Sequence, residues 1–208
     1  MPVITLIIVI VTVLTSVAAF RREELFYRFD LSPARIVHQK QYYRIFTHAF
    51  LHADYFHLGI NMLVLYSFGT FIEQKFFILE QEGLIFSGTF FYLLLYLGSI
   101  AVASISTVSR YSNNKGYSAV GASGAVSAVV FAYIFFAPLN KIYFYMVLPI
   151  PGILFGVLYL VYSSYMSKRR GDNINHSAHF WGAVAGFLFP VLLEPALFMD
   201  FLDQLLRR

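Results

Sequence analysis

Apolar residues run along this chain in six blocks separated by short polar breaks. The first, Val3 to Phe20, has about the length needed to cross roughly 30 Å of hydrocarbon. Five more follow at about 56–72, 84–104, 118–137, 142–163 and 178–199. The breaks at Glu80-Gln81-Glu82-Gly83, Arg110 to Gly116, Pro138-Leu139-Asn140-Lys141 and Lys168 to His176 hold the charges and turn-formers expected between spans. The pattern predicts an all-α membrane protein, a bundle of six transmembrane helices forming a single domain over 1–208. A signal peptide would open with a basic segment, but no basic residue precedes Arg21, so the first block reads as a retained span. Pro149 and Pro151 lie inside the fifth block and predict a kink or a local break there. No internal repeat is visible, which removes the inverted-repeat signature of many transporters.

Between the first two blocks, 21–55 is a long mixed connection with charges, Pro33 and many aromatics. Its stretch Tyr42-Tyr43-Arg44-Ile45-Phe46 is amphipathic and suits the headgroup boundary, where Tyr and Arg tips stay wet. A connection of this length is a functional candidate in its own right.

Composition sharpens the class. The chain is 59% hydrophobic and 12% charged, against about 45–50% and about 25% for soluble domains, and its mean hydropathy is +0.67. The net charge of +4 includes no basic cluster longer than Lys168-Arg169-Arg170, which excludes a nucleic-acid face and fits lipid headgroups. The absence of cysteine excludes disulfides, thiol nucleophiles and Cys-ligated metals. His48 and His52, four apart, bring zinc to mind together with His57 or His176, but a zinc protease wants His-Glu-x-x-His or a nearby acidic ligand. No metal and no cofactor are expected.

Polar groups inside spans are costly, so each is a candidate for chemistry. His57 and Asn61, four apart, share a helix face in the second block. Ser123 sits in the turn Gly121-Ala122-Ser123-Gly124, and His179 in Ala178-His179-Phe180-Trp181-Gly182, followed by Gly186. Gly121, Ala125, Ala128 and Ala132 form one small-residue ridge, and Ala178, Gly182 and Gly186 another; such faces let membrane helices approach closely. That approach would bring the His179 imidazole to the Ser123 hydroxyl, the geometry of a serine–histidine dyad. Asp172 lies in the preceding loop, so no carboxylate is placed to orient the imidazole. Candidate oxyanion donors are the Asn61 amide, the His57 side chain and the Ser123 backbone N–H. Glu73 and Glu194 read as interfacial caps rather than catalytic acids. Singly, each motif has a plain packing explanation, and a nucleophile elbow of the soluble kind would need a strand before it.

Taken together, Tyr43-Arg44-Ile45-Phe46-Thr47-His48-Ala49-Phe50 with His52, then His57-x-x-x-Asn61, then Gly121-Ala122-Ser123-Gly124, then Ala178-His179-x-x-Gly182-x-x-x-Gly186 resembles the rhomboid family of intramembrane serine proteases over roughly 43–190. The resemblance implies Ser123 as nucleophile, His179 as general base and then acid, and His57 and Asn61 with the Ser123 amide at the oxyanion. It implies Gly121, Gly124, Gly182, Gly186 and Arg44 as support. Partners would be the transmembrane segments of other proteins, cut near the membrane surface after a small residue, and the lipid bilayer. It also implies a cavity open to the extracytoplasmic side of a bacterial inner (plasma) membrane. The basic residues disagree: 11 of the 15 Lys and Arg, all but Lys75, Lys141, Arg207 and Arg208, lie in loops one, three and five, which would place those loops in the cytoplasm. Two departures stand out. The family commonly has Trp-Arg where this chain has Tyr43-Arg44, and several relatives have an aromatic four after the nucleophile, against which the catalytic imidazole packs, where this chain has Ser127; a nearby Tyr or Phe is then expected to take its place beside His179. A catalytically silent relative that binds membrane-protein clients is the alternative, against which retention of both dyad members argues.

Overall fold

A computed structural model describes residues 2–144, 147–169, 172 and 174–206; Met1, Arg170, Arg207 and Arg208 lie outside the described residues. The first long helix, α1 (Val3–Arg21), is followed by three short helices of the first loop: α2 (Glu23–Phe29), α3 (Pro33–Gln39) and α4 (Arg44–Thr47), the last running into a 3-10 turn at His48–Phe50. Then come α5 (Tyr55–Gln81), α6 (Gly88–Tyr111) and α7 (Ser123–Phe136). A hairpin, β1 (Lys141–Phe144) with β2 (Leu148–Pro151), leads to α8 (Gly152–Lys168), α9 (His176–Leu193) and α10 (Leu197–Leu206). By length and composition α1, α5, α6 and α9 are able to cross a membrane. The shorter α7 and α8 pack with them, in agreement with the expected all-α membrane architecture and consistent with its six helices.

Helix α7 is the axis of the bundle. Every residue from Gly124 to Ala132 is buried, as are Ile134 and Phe135, and α5, α6, α8 and α9 pack around it. At 14 residues it spans only about 21 Å, because 118–122 is a non-helical lead-in with a turn at Gly121, contrary to the expected 118–137 span. That segment is fastened to the first loop by an antiparallel bridge between Leu31 and Ala119.

Other boundaries also move. The helix expected to stop at 72 runs to Gln81, with Phe76 and Leu79 buried. Hydropathy dips there because of Glu73, Lys75 and Glu80, yet two of these charges are helix caps. Glu73 Oε1 and Oε2 accept the Ile4 and Thr5 N–H groups of α1, both at 2.8 Å, and Glu80 Oε2 accepts the Gly88 N–H that opens α6 at 2.7 Å. The third block begins at Gly88 and continues to Tyr111 instead of covering 84–104. In the fifth block the prolines do not kink a helix. Pro149 and Pro151 sit in β2 opposite Tyr143 and Lys141, and Pro151 directly precedes α8, so the local-break alternative holds. The sixth block splits at Glu194, and α10 is a separate amphipathic helix that buries Leu197 and Phe201.

Helix α1 is not the uniformly apolar rod its hydropathy suggests. Thr5, Thr12 and Ser16, spaced seven and four apart, are fully buried on the face that meets the bundle. The Thr5 hydroxyl engages Glu73 Oε2 at 2.7 Å and the Tyr92 hydroxyl at 2.8 Å.

Candidate active site

The site is built on the turn that feeds α7. Gly121 has φ +126°, a left-handed conformation that disfavours any side chain. A Cβ there would also sit 2.7 Å from His57 Cε1. The first loop holds this turn from behind. The Gly121 N–H donates to the His48 carbonyl at 3.0 Å, and the Ala122 N–H approaches His52 Nε2 at 3.5 Å. With Nε2 accepting, the His52 proton resides on Nδ1 and donates to Ser16 Oγ at 3.0 Å, while Ser16 donates to the Phe50 carbonyl at 2.9 Å. Burial lowers the His52 pKa to about 3, with the neighbouring His57 ring adding to the effect, and burial lowers His48 to about 4. Both rings are therefore neutral scaffolding.

Arg44 is the other fixture of the loop. Rather than resting wet at the headgroup boundary, it is buried, paired with Asp30, and donates to the Tyr27 and Asp30 carbonyls at 3.1 and 3.0 Å. Tyr43 alone keeps the interfacial exposure expected of the pair.

Ser123 is the first residue of α7, and the first helical hydrogen bond runs from the Val126 N–H to the Ala122 carbonyl. The amides before Val126 belong to the unsatisfied donors of a helix N-terminus, where the macrodipole favours negative charge. The Ser123 hydroxyl and His179 Nε2 are 2.7 Å apart, although 56 residues separate them in sequence. Small residues make that approach possible. A Cβ on Gly182 would run into the Gly124 carbonyl oxygen, and one on Gly186 into that of Ala128. The α7 ridge at this level is thus Gly124 and Ala128; Gly121, expected in it, faces His57 instead.

His57 and Asn61 project from the start of α5, whose first turn is capped by Asp54 Oδ1 accepting the His57 N–H at 2.7 Å. Asn61 Nδ2 donates to the His57 carbonyl at 2.9 Å. Both residues line, with Ser123 and His179, an open cavity of about 1250 Å³. Such a space admits an extended peptide segment and water to the hydroxyl.

Tyr159 and His176 stand around the imidazole. The Tyr159 ring of α8 lies 6.4 Å from the His179 ring at an interplanar angle of 22°, and Ser127 bonds the Tyr159 hydroxyl at 2.6 Å. Asp172 touches His176 and not His179: His176 Nε2 lies 3.0 Å from Oδ2, and the two imidazole rings are 6.0 Å apart. That hydrogen bond holds the Asp172 carboxyl below the usual carboxylate range. Among the described residues no group of His, Asp and Glu has metal-binding geometry.

Sequence reasoning missed Ser16, Tyr159 and the Asp54 cap. Asp54 carried a readable signal, an Asp three residues before a helix-facing His. Ser16 carried a weaker one in its spacing with Thr5 and Thr12. A Tyr or Phe beside His179 was expected, but Tyr159 is one of 15 tyrosines and nothing in the sequence singles it out.

A family model described as "Rhomboid domain" matches residues 39–195. The RHOMBOID-like protein 12, mitochondrial, of Arabidopsis thaliana is 31% identical over 144 residues, covering 67% of this chain and 43% of the relative. Rhomboid protein 1, mitochondrial, of Saccharomyces cerevisiae is 28% identical over 68% of this chain and 39% of its own length. Rhomboid protease GluP of Bacillus subtilis is 27% identical over 73% of this chain and 26% of its own. The chain spans less than half the length of each of these relatives.

Proposed function

The chain belongs to the rhomboid family, and on that premise we propose that it is an intramembrane serine endopeptidase that cuts transmembrane segments of other proteins. The observation that carries the proposal is the 2.7 Å contact between Ser123 Oγ and His179 Nε2 inside a cavity within the bundle. In this reading the hydroxyl passes its proton to Nε2 as Oγ attacks a peptide carbonyl. The developing oxyanion is met by the Ser123 N–H at the positive end of α7, with His57 and the Asn61 amide beside it. Asn61 Nδ2 carries two N–H groups, so one can stay on the His57 carbonyl while the other turns to the oxyanion. His179 then gives its proton to the leaving amine, and a water from the cavity, activated by the same imidazole, releases the acyl group.

We also read 1–208 as one rhomboid-type membrane domain. The membrane is proposed to be a bacterial plasma membrane, with the cavity open to the extracytoplasmic side. A reporter fused within 112–116 tests that orientation; a cytoplasmic signal overturns it in favour of the distribution of basic residues.

The activity test is labelling of detergent-solubilised protein with a fluorophosphonate, together with cleavage of a transmembrane substrate. Both are expected to vanish in Ser123→Ala and to fall at least a hundredfold in His179→Ala, the scale of a lost general base. Unlabelled but folded wild type would reject the protease reading and leave a client-binding relative.

A further inference from the structure

Helix α8 is the bundle helix least embedded in the protein: only Gly152, Gly156 and Ser163 of its residues are buried. Yet one of its side chains reaches the candidate dyad. Tyr159 lies nearly parallel to the His179 ring, and its hydroxyl meets Ser127, which is 7% exposed, at 2.6 Å. Behind Tyr159 the ring of Phe155, one turn earlier on α8, lies 5.9 Å away at 28°, and Phe131 of α7 stands 5.5 Å from it at 53°. The tyrosine is therefore fixed at its tip by α7, on its faces by Phe155 and His179, and at its side by Phe131.

The imidazole is held less completely. Its Nε2 faces Ser123, and the neighbouring His176 stands edge-on at 6.0 Å. Asp172 is engaged by His176. An imidazole that must both accept and return a proton needs a fixed ring plane, because a displacement of about 1 Å costs on the order of a hundredfold in rate. A flat aromatic wall supplies that constraint without charge.

We propose that Tyr159, pinned by Ser127, is the positioning residue of the His179 imidazole, so that the seating of α8 sets the geometry of the dyad. This rests on the protease reading only for its kinetic consequence; the placement of the ring is a property of the folded chain. Ser127 is then a tether for an aromatic that arrives from a different helix, and the two residues act as one unit.

The test has a spectroscopic arm and a kinetic arm, both on full-length protein in detergent. In protein labelled with 13C-histidine, the His179 ring signal is assigned by its loss in His179→Ala. It is expected to shift and broaden in Tyr159→Leu, and to a smaller degree in Tyr159→Phe and Ser127→Ala. In fluorophosphonate labelling, Tyr159→Leu is expected to slow the reaction about tenfold, the scale of an aromatic pair. Tyr159→Phe and Ser127→Ala are each expected to slow it about threefold, the scale of one hydrogen bond. The double variant S127A/Y159F should be no slower than either single one, because the two changes remove the same bond. Ser127→Phe placed on Tyr159→Leu should recover labelling by supplying a ring from α7. A His179 signal unmoved by Tyr159→Leu, or single effects that multiply in the double variant, would overturn the proposal. A signal that moves in protein that never labels rejects the protease reading and upholds the placement of the ring.

Discussion

At the scale of single residues, the site depends on the absence of atoms as much as on their presence. Gly186 lies against the Ala128 backbone, where a methyl group would run into the carbonyl oxygen, whereas a Cβ on Gly98 meets nothing within 4 Å. Gly186→Ala is therefore expected to destabilise the protein by about 1–3 kcal/mol or more, as overpacking does, and to depress fluorophosphonate labelling by prising His179 from Ser123. Gly98→Ala, in the interior of α6, is expected to be neutral or to raise stability by up to about 1 kcal/mol. Thermal midpoints of the two variants in detergent check the contrast. This scale also shows what a sequence reveals. Ser123 and His179 stood out because polar groups are rare in apolar blocks, and the glycines beside them gave away the close approach. Arg44 misled because an amphipathic stretch looks interfacial, while its buried partner Asp30 lies 14 residues away. Ser127 was visible as a departure, but its partner on α8 depends on a tertiary contact that no local pattern encodes.

At the scale of elements, helix ends are tied to one another by side chains from neighbours. The Glu73 carboxylate accepts two N–H groups and a hydroxyl from the first turn of α1. Glu73→Gln keeps the shape but loses the charge, and is expected to weaken the docking of α1 by about 1 kcal/mol, the usual size of a cap with its dipole contribution. Faster proteolysis of α1 in detergent, with little change in labelling at Ser123, is the expected signature; unchanged proteolysis would show that the buried Thr5, Thr12 and Ser16 face suffices. Elements are where hydropathy reads least well. It located six blocks but placed their ends poorly, because capping carboxylates look like loop residues. It also fused the β1–β2 hairpin with α8, since both are apolar and only the prolines distinguish them.

At the scale of the whole molecule, the first loop and the bundle are one cooperative object joined through His48 and His52. In the unfolded chain both rings titrate near 6.5, while in the fold their pKa values are lowered to about 4 and about 3. As pH falls the unfolded chain binds protons first, so their contribution is complete above about pH 6.5 and is lost progressively down to about pH 4 for His48 and about pH 3 for His52. The thermal midpoint is expected to drop by about 5 °C or more from pH 7.5 to pH 5, given that 1 kcal/mol moves the midpoint of a chain this size by about 2–4 °C. His52→Asn should show a lower midpoint at neutral pH but a shallower slope. An unaltered slope would mean that His52 is not neutral in the fold.

The packing of Gly182 and Gly186 on α7 has a consequence in time as well as space. The ribosome makes α7, with its serine, well before the helix that carries His179. Until α9 has seated its glycines against Gly124 and Ala128, Ser123 has no imidazole beside it. The Ser123–His179 contact is therefore among the last to form, made only once α9 is in place.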